Sequence, residues 1–196
     1  MLSNSSSRVR NRHALRTDLV MTAFLVGLDV AARLLPHAPD FTPIAATGLF
    51  AASLLRVRGL AVLVPITGMM TADAVLGCYD LRIMAAVYAT LTLPAGAAFL
   101  SSRLRARLTV LILLSSSLPF FLITNFAVWA FSPLYAANAA GLVKCYVAAL
   151  PFLRNMVAGD LFWGFVLFGS YWLAQKLQTA KSEAPTAEAI ALPTRL

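Results

Sequence analysis

Eight acidic residues, two histidines and two cysteines in 196 positions leave this chain short of negative charge and of metal ligands. Charged residues make up only 12% against 60% apolar, with a mean hydropathy of +0.78. A soluble domain of this length needs a far more charged surface, so composition excludes one and points to an all-α protein of the lipid bilayer. The cysteines, Cys78 and Cys145, form no Cys-x-x-Cys pair, which excludes a zinc or disulfide framework. No Gly-x-x-x-x-Gly-Lys-[Ser/Thr] occurs, so ATP is not bound in the P-loop manner. Internal repeats are also missing. The net charge of +8 resides in tails and loops rather than on an aromatic-interleaved face, so it belongs to membrane topology and not to nucleic acid.

Long apolar runs are what the chain has in abundance. A bilayer core takes about 20 apolar residues per helix, fewer where neighbours shield the segment. Six runs qualify: Leu19 to Leu35, Phe41 to Leu55, Leu60 to Leu76, Ile83 to Leu100, Leu108 to Phe131 and Val157 to Leu177. The second is short and is expected to be shielded by its neighbours. Residues 1–16 are Ser/Arg-rich with no small-residue cleavage site behind them, so they read as a cytoplasmic tail before a retained first span. Residues 17–177 form the membrane domain, and 178–196, polar and proline-punctuated, read as a disordered tail.

Lys and Arg stay on the cytoplasmic side, and their distribution is lopsided. Arg8, Arg10, Arg12, Arg16, Arg56, Arg58, Arg103, Arg105, Arg107, Lys176, Lys181 and Arg195 collect on one side. Arg82, Lys144 and Arg154 fall on the other, with Arg33 inside the first span. Both termini are therefore expected in the cytoplasm of a multi-pass protein of the bacterial inner membrane. The 36–40 loop, Cys78 and the 132–156 segment would then face outward. Within that segment Ala139 to Leu150, with Pro133 before it and Pro151 after it, reads as a short separate helix in or on the outer leaflet.

Ionisable groups inside spans are costly and are functional candidates by default. Asp29 and Arg33 are four apart on one face of the first helix, in the favourable orientation for an internal ion pair. Asp73 lies one to two turns inside the outer end of the third helix and Asp160 near the outer end of the sixth. Arg154 and Asn155 either neutralise Asp160 or offer donors to a ligand's amides or phosphate; both readings stand. Asn125 and Trp129 share a face of the fifth helix, an amide beside an indole. Trp129, Tyr135 and Tyr146 also fit an interfacial aromatic belt. A large flat ligand with amide edges would need this mixture of aromatic surface and donors. Ala23, Gly27 and Ala31 form a small-residue stripe that lets another helix approach, in this chain or another.

Cys78 stands with Tyr79 and Asp80 in the polar break between two membrane-length runs. One reading makes it a small buried residue at a helix end. The chemical reading uses its soft sulfur: a lone cysteine cannot cage a bare ion, but it suits one axial position of a metal already held by a macrocycle.

Six helices, cytoplasmic termini, a small-residue stripe on helix one and an outward pocket under loops resemble the substrate-binding S-components of energy-coupling-factor vitamin transporters. The resemblance covers about residues 17 to 177. Phe41-Thr42-Pro43-Ile44-Ala45-Ala46, Thr71-Ala72-Asp73 to Cys78-Tyr79-Asp80, Phe120 to Phe126 and Pro151 to Asp160 look like the solitary cobalamin transporters of the BtuM family. That resemblance implies cobalamin as bound substrate rather than as prosthetic group, with Cys78 on its cobalt. It also implies loss of the upper axial ligand as an accompanying chemical step. Phe41, Thr42, Asp73, Tyr79, Asp80, Asn125, Trp129, Tyr135, Tyr146, Arg154 and Asn155 are the candidate contacts. Besides membrane lipid, the partners to expect are a periplasmic corrinoid supplier or an energy-coupling module. One departure is on helix one, where Ala23-x-x-x-Gly27 stands for the usual Ala-x-x-x-Ala and puts docking to such a module in doubt.

Two other classes compete. A six-helix cell-shape scaffold shares size and topology and predicts no ligand. An intramembrane thiol enzyme would use Cys78 as nucleophile, but His13 is in the cytoplasmic tail and His37 is the one outward histidine near enough to consider.

Overall fold

Apolar runs become helices because, in lipid, each backbone N–H and C=O has to be satisfied inside its own segment. The computed structural model describes residues 3–100 and 106–183, with side-chain surroundings over 12–99 and 108–182. Every regular element among those residues is a helix: α1 (Ser3–Leu34), α2 (Ile44–Leu54), α3 (Arg58–Leu76), α4 (Leu81–Leu91), α5 (Leu93–Leu100), α6 (Ala106–Phe131) and α7 (Ala139–Glu183). Four helical stretches are long and apolar enough to cross a membrane: Arg58–Leu76, Leu81–Phe99, Leu108–Phe131 and Ala139–Ser182. α1 carries Asp18, Asp29 and Arg33 within its apolar part. The expected loop arginines Arg103, Arg105 and Arg107 and the tail beyond Glu183 lie outside the described side chains.

α2 sets the architecture. Its 11 residues extend about 16 Å at the helical rise, half the bilayer core of about 30 Å. Ile44, Ala46, Thr47, Gly48, Leu49, Phe50 and Ala51 are all buried in it. α1, α3, α5, α6 and α7 pack around it, so shielding by neighbours is the arrangement observed. Leu49 and Phe50 join Leu25 of α1, Val64 of α3, Leu113 of α6 and Leu167 of α7 in the main core. Large apolar side chains point outward instead of inward over much of the remaining surface, Phe165 at 80% exposure among them, as a lipid-facing exterior requires.

Two helix boundaries differ from expectation. The run expected from Ile83 to Leu100 divides at Thr92, because the Pro94 ring cannot continue a helix from the preceding turn but fits the first turn of α5. In the other direction, Ala139–Leu150 is no separate surface helix: α7 continues unbroken through Pro151 for 45 residues, about 67 Å. Its first third is held upright against α6, where Tyr146 Oη donates to Leu122 O (2.7 Å) and the Phe121 and Tyr146 rings meet. α7 also carries on past Leu177 to Glu183, into the segment expected to be a disordered tail.

The three short connections 35–43, 77–80 and 132–138 meet at one end of the bundle. Arg33 near the end of α1 reaches Asp73 near the end of α3, and the Arg82 guanidinium at the start of α4 lies 4.5 Å from the Phe131 ring at the end of α6. At the opposite end, Asp18 of α1 is buried and its Oδ2 accepts from the backbone N–H groups of Arg56 (3.0 Å) and Val57 (3.2 Å). Val57, at the N-cap of α3, has no side chain able to cap it, so Asp18 supplies the missing acceptor from another helix. Asp18→Ala is expected to cost about 1–2 kcal/mol, read as a lowered midpoint of thermal unfolding in detergent; an unchanged midpoint refutes the cap.

Candidate functional site

A carboxylate in lipid must find a donor or a counter-charge. α1 presents Asp29 and Arg33 on one face, yet they do not pair with each other. Arg33 Nη2 donates to Asp73 Oδ1 across to α3 (3.1 Å), and Tyr88 Oη of α4 donates to the other oxygen of Asp73 (2.8 Å). Asp29 is fully buried and meets Thr47 Oγ1 of α2 at 2.9 and 3.0 Å. Packing accounts for the exchange. α1 and α3 approach so closely at Gly68 that an added Cβ would lie 2.6 Å from Asp29 Cβ, while the longer arm of Arg33 reaches the end of α3.

The Arg33–Asp73–Tyr88 cluster lies under the loop that carries Cys78. Gly77 leaves α3 with φ +108°, a conformation glycine adopts without strain, and its N–H still bonds Asp73 O (2.9 Å). On the far side, Asp80 caps α4 by accepting from Arg82 N–H (2.9 Å) and pairs with the Arg82 guanidinium (2.9 Å). These bonds hold the Asp80 carboxyl down at about 2. Their contribution is full above the ordinary aspartate range and is lost as pH falls through that value. Cys78, between these two anchors, is exposed and free, so the buried small-residue reading does not apply. Tyr79 beside it is raised above the usual phenol range, first by partial burial and then by the negative charge of Asp73, with Arg33 opposing.

Below this rim is a cavity of about 50 Å³ between α1, α2, α4, α6 and α7. Arg33, Asp40, Thr42, Thr90, Ser116, Ser117 and Asp160 supply its polar wall. Asp160 is buried and meets Ser117 Oγ at 2.7 Å. α7 presses against the 41–42 backbone at Gly159, where a Cβ would stand 3.1 Å from Phe41 Cα, and this brings Asp160 to the cavity. Asp40 borders the same space from an exposed loop, in a left-handed turn conformation. Although Asp40 is open to solvent, desolvation by the protein around it raises its carboxyl above the usual range, while Arg33 and then His37 pull it back.

A family model described as a family of unknown function, DUF6580, matches residues 13–184. The chain belongs to the DUF6580 family. Neither the curated proteins nor the solved structures contain a match.

In this DUF6580 member the remaining candidates divide. Cys78, Tyr79 and Asp80 share the loop above Asp73, Thr42 lines the cavity, and Phe41 beside it packs its ring 5.6 Å from Phe162. Asn125, Trp129 and Tyr146 are committed to the α6–α7 region: Asn125 Nδ2 donates to Phe121 O (2.8 Å), Trp129 Nε1 to Ala136 O (3.0 Å) and Tyr146 Oη to Leu122 O. Buried Cys145 points its Sγ at Asn125 O (3.4 Å) in the same seam. Arg154 is exposed and makes no ion pair with Asp160 among the described residues, which removes the neutralisation reading; Asn155 and Tyr135 are half-buried.

Sequence reasoning missed Asp18, Thr47, Tyr88 and Ser117, the partners that make the buried acids tolerable. A signal for three of them existed: each acid in an apolar span needs a donor, and hydroxyls in facing spans are the class that supplies it. Arg33→Met leaves Asp73 buried without its cation and is expected to destabilise the protein by about 3 kcal/mol, whereas Arg33→Met combined with Asp73→Leu recovers most of that loss. Thermal unfolding of the three proteins in detergent measures both numbers, and a single variant as stable as wild type refutes the pair's role.

Proposed function

We propose that this DUF6580 member is a six-span uptake protein with both termini in the cytoplasm, taking cobalamin from the outer side of the membrane with the Cys78 sulfur on cobalt. The observation that carries this reading is the Cys78 loop: an exposed thiol in a short connection fixed at both ends, by Gly77 on α3 and by the Asp80 cap on α4. An anchored loop presents its sulfur at one position, which is what an axial ligand must do. Asp160, buried yet lining a cavity and without a cation paired to it among the described residues, favours transport over a scaffold, since ionisable groups inside spans are functional candidates by default.

A corrin does not fit a cavity of about 50 Å³; small-molecule pockets run to about 300–1,000 Å³. Cobalamin would therefore meet the rim first, with Tyr79, Asp80, Phe41 and Thr42 beside Cys78, and pass inward as the 35–43 and 77–80 connections part. Asn125, Trp129 and Tyr146 brace the α6–α7 seam in this arrangement. When cobalt binds, the Cys78 thiol gives up its proton and the Co–S bond replaces the nucleotide base on that face. Donation from sulfur weakens the opposite bond, so cyanide or another upper ligand leaves with its electron pair. The Ala23-Gly27-Ala31 stripe lies exposed along α1, open to an energising partner.

The test is the visible absorption spectrum of protein purified from cells supplied with cobalamin, beside that of Cys78→Ala. A red-shifted corrinoid band present in the wild type and lost in the variant is expected. Colourless protein that takes up no corrinoid, or identical spectra of bound corrinoid in both, overturns the reading.

A further inference from the structure

The hydrogen bonds around Asp160 do not balance for a carboxylate. Ser117 Oγ lies 2.9 Å from Leu113 O and 2.7 Å from Asp160 Oδ2, two acceptors for the one hydrogen a hydroxyl owns. A protonated Asp160 satisfies both contacts in full, donating to Ser117 while Ser117 donates to Leu113 O; a carboxylate leaves the two acceptors to share one hydrogen. Of the other hydroxyls on the wall, Ser116 turns its hydrogen back to Leu113 O (2.9 Å) and Thr90 shares its hydrogen between Ala86 O and Val87 O (both 2.9 Å), while Thr42 stands at the loop side. Asp29 and Thr47 show the same arrangement, but Asp29 is fully buried and lies outside this cavity's lining, whereas Asp160 is part of it.

We propose that Asp160 is a proton-binding site of the membrane domain, loaded from the solvent through Asp40 and the cavity between them. Arg33, Asp40 and Asp160 are the charged or titratable groups on the cavity wall; α2, α4 and α6 contribute only neutral side chains to it. Arg33 is engaged by Asp73 and leaves its Nε buried without a partner. Asp40, on an exposed loop, exchanges protons with bulk water. About 50 Å³ admits about one or two water molecules, and both carboxyls border that space. A proton from bulk water adds to the Asp40 carboxylate, and the Asp40 O–H bond breaks as a proton passes through the water to Asp160; no oxidant or reductant takes part. Release reverses the path or follows inward movement of α7. The site stands by itself, and its coupling to solute passage rests on the uptake reading.

Infrared difference spectra between acid and alkaline pH test the site in the full chain, reconstituted in lipid vesicles without corrinoid. A protonated-carboxyl C=O band is expected that disappears in Asp160→Asn, persists in Asp29→Asn and changes frequency in Ser117→Ala. In Asp40→Asn the band is expected to form more slowly after a pH jump. A band indifferent to Asp160→Asn, with Ser117→Ala also without effect, overturns the proposal; so does a spectral change at Asp160 driven by sodium at fixed pH. Corrinoid uptake into the same vesicles under an inward proton gradient then separates the two readings. Acceleration in the wild type but not in Asp160→Asn supports coupling, while the infrared band without any corrinoid uptake keeps the proton site and removes the uptake reading.

Discussion

The Arg33–Asp73 contact joins α1 to α3 where both helices end, and Tyr88 extends it to α4. Three carboxylates are buried in the half of the molecule around this contact, and Arg33 is the single cation among the described residues that pairs with one of them. Desolvation makes such a pair a weak source of net stability but a strong restriction on alternatives: any arrangement that separates the partners strands a charge in lipid. The register of α1 against α3 is thus chosen at one end by this pair and at the other by Asp18 on the start of α3. Between the two, Gly68 admits the Asp29 side chain with no room to shift.

That rigid pair of helices supports a rim whose chemistry is exposed. The Cys78 loop begins on an α3 backbone carbonyl and ends on its own cap of α4, so its position follows from the helices rather than from contacts of its own. The cavity below it has acids on facing walls, one on a solvent-facing loop and one deep in α7. A soft ligand atom above and a proton-accepting space below are separable features, sharing Arg33 as the group that touches both the ion pair and the cavity wall.

Much of this was legible in the residues. The apolar runs ending at Leu76 and at Phe131 end where α3 and α6 end, because the bilayer's demand for uninterrupted apolar length is written directly in composition. The shielded second helix was legible for the same reason. Pro151 misled: proline ends an isolated helix, but here α6 packs along the segment before it and holds both sides in line, so a lost hydrogen bond does not become a break. Partnerships were the least legible. Asp29 with Thr47, Asp73 with Tyr88 and Asp160 with Ser117 are tertiary choices between helices, which spacing along one helix cannot announce. Cys78, by contrast, was conspicuous because a thiol in a polar break between apolar runs has no bulk to contribute to a core.

The shortness of α2 has a consequence for how it is held in the membrane. At about 16 Å it cannot bridge the hydrocarbon layer by itself, and its polar flanks would be dragged into lipid if it entered alone. Its buried faces are covered by helices that lie both before and after it in the chain. A half-length helix of this kind is therefore completed as a membrane element only by its neighbours, α3, α5 and α7 among them. Its place in the bilayer is thus a property of the assembled bundle and not of its own eleven residues.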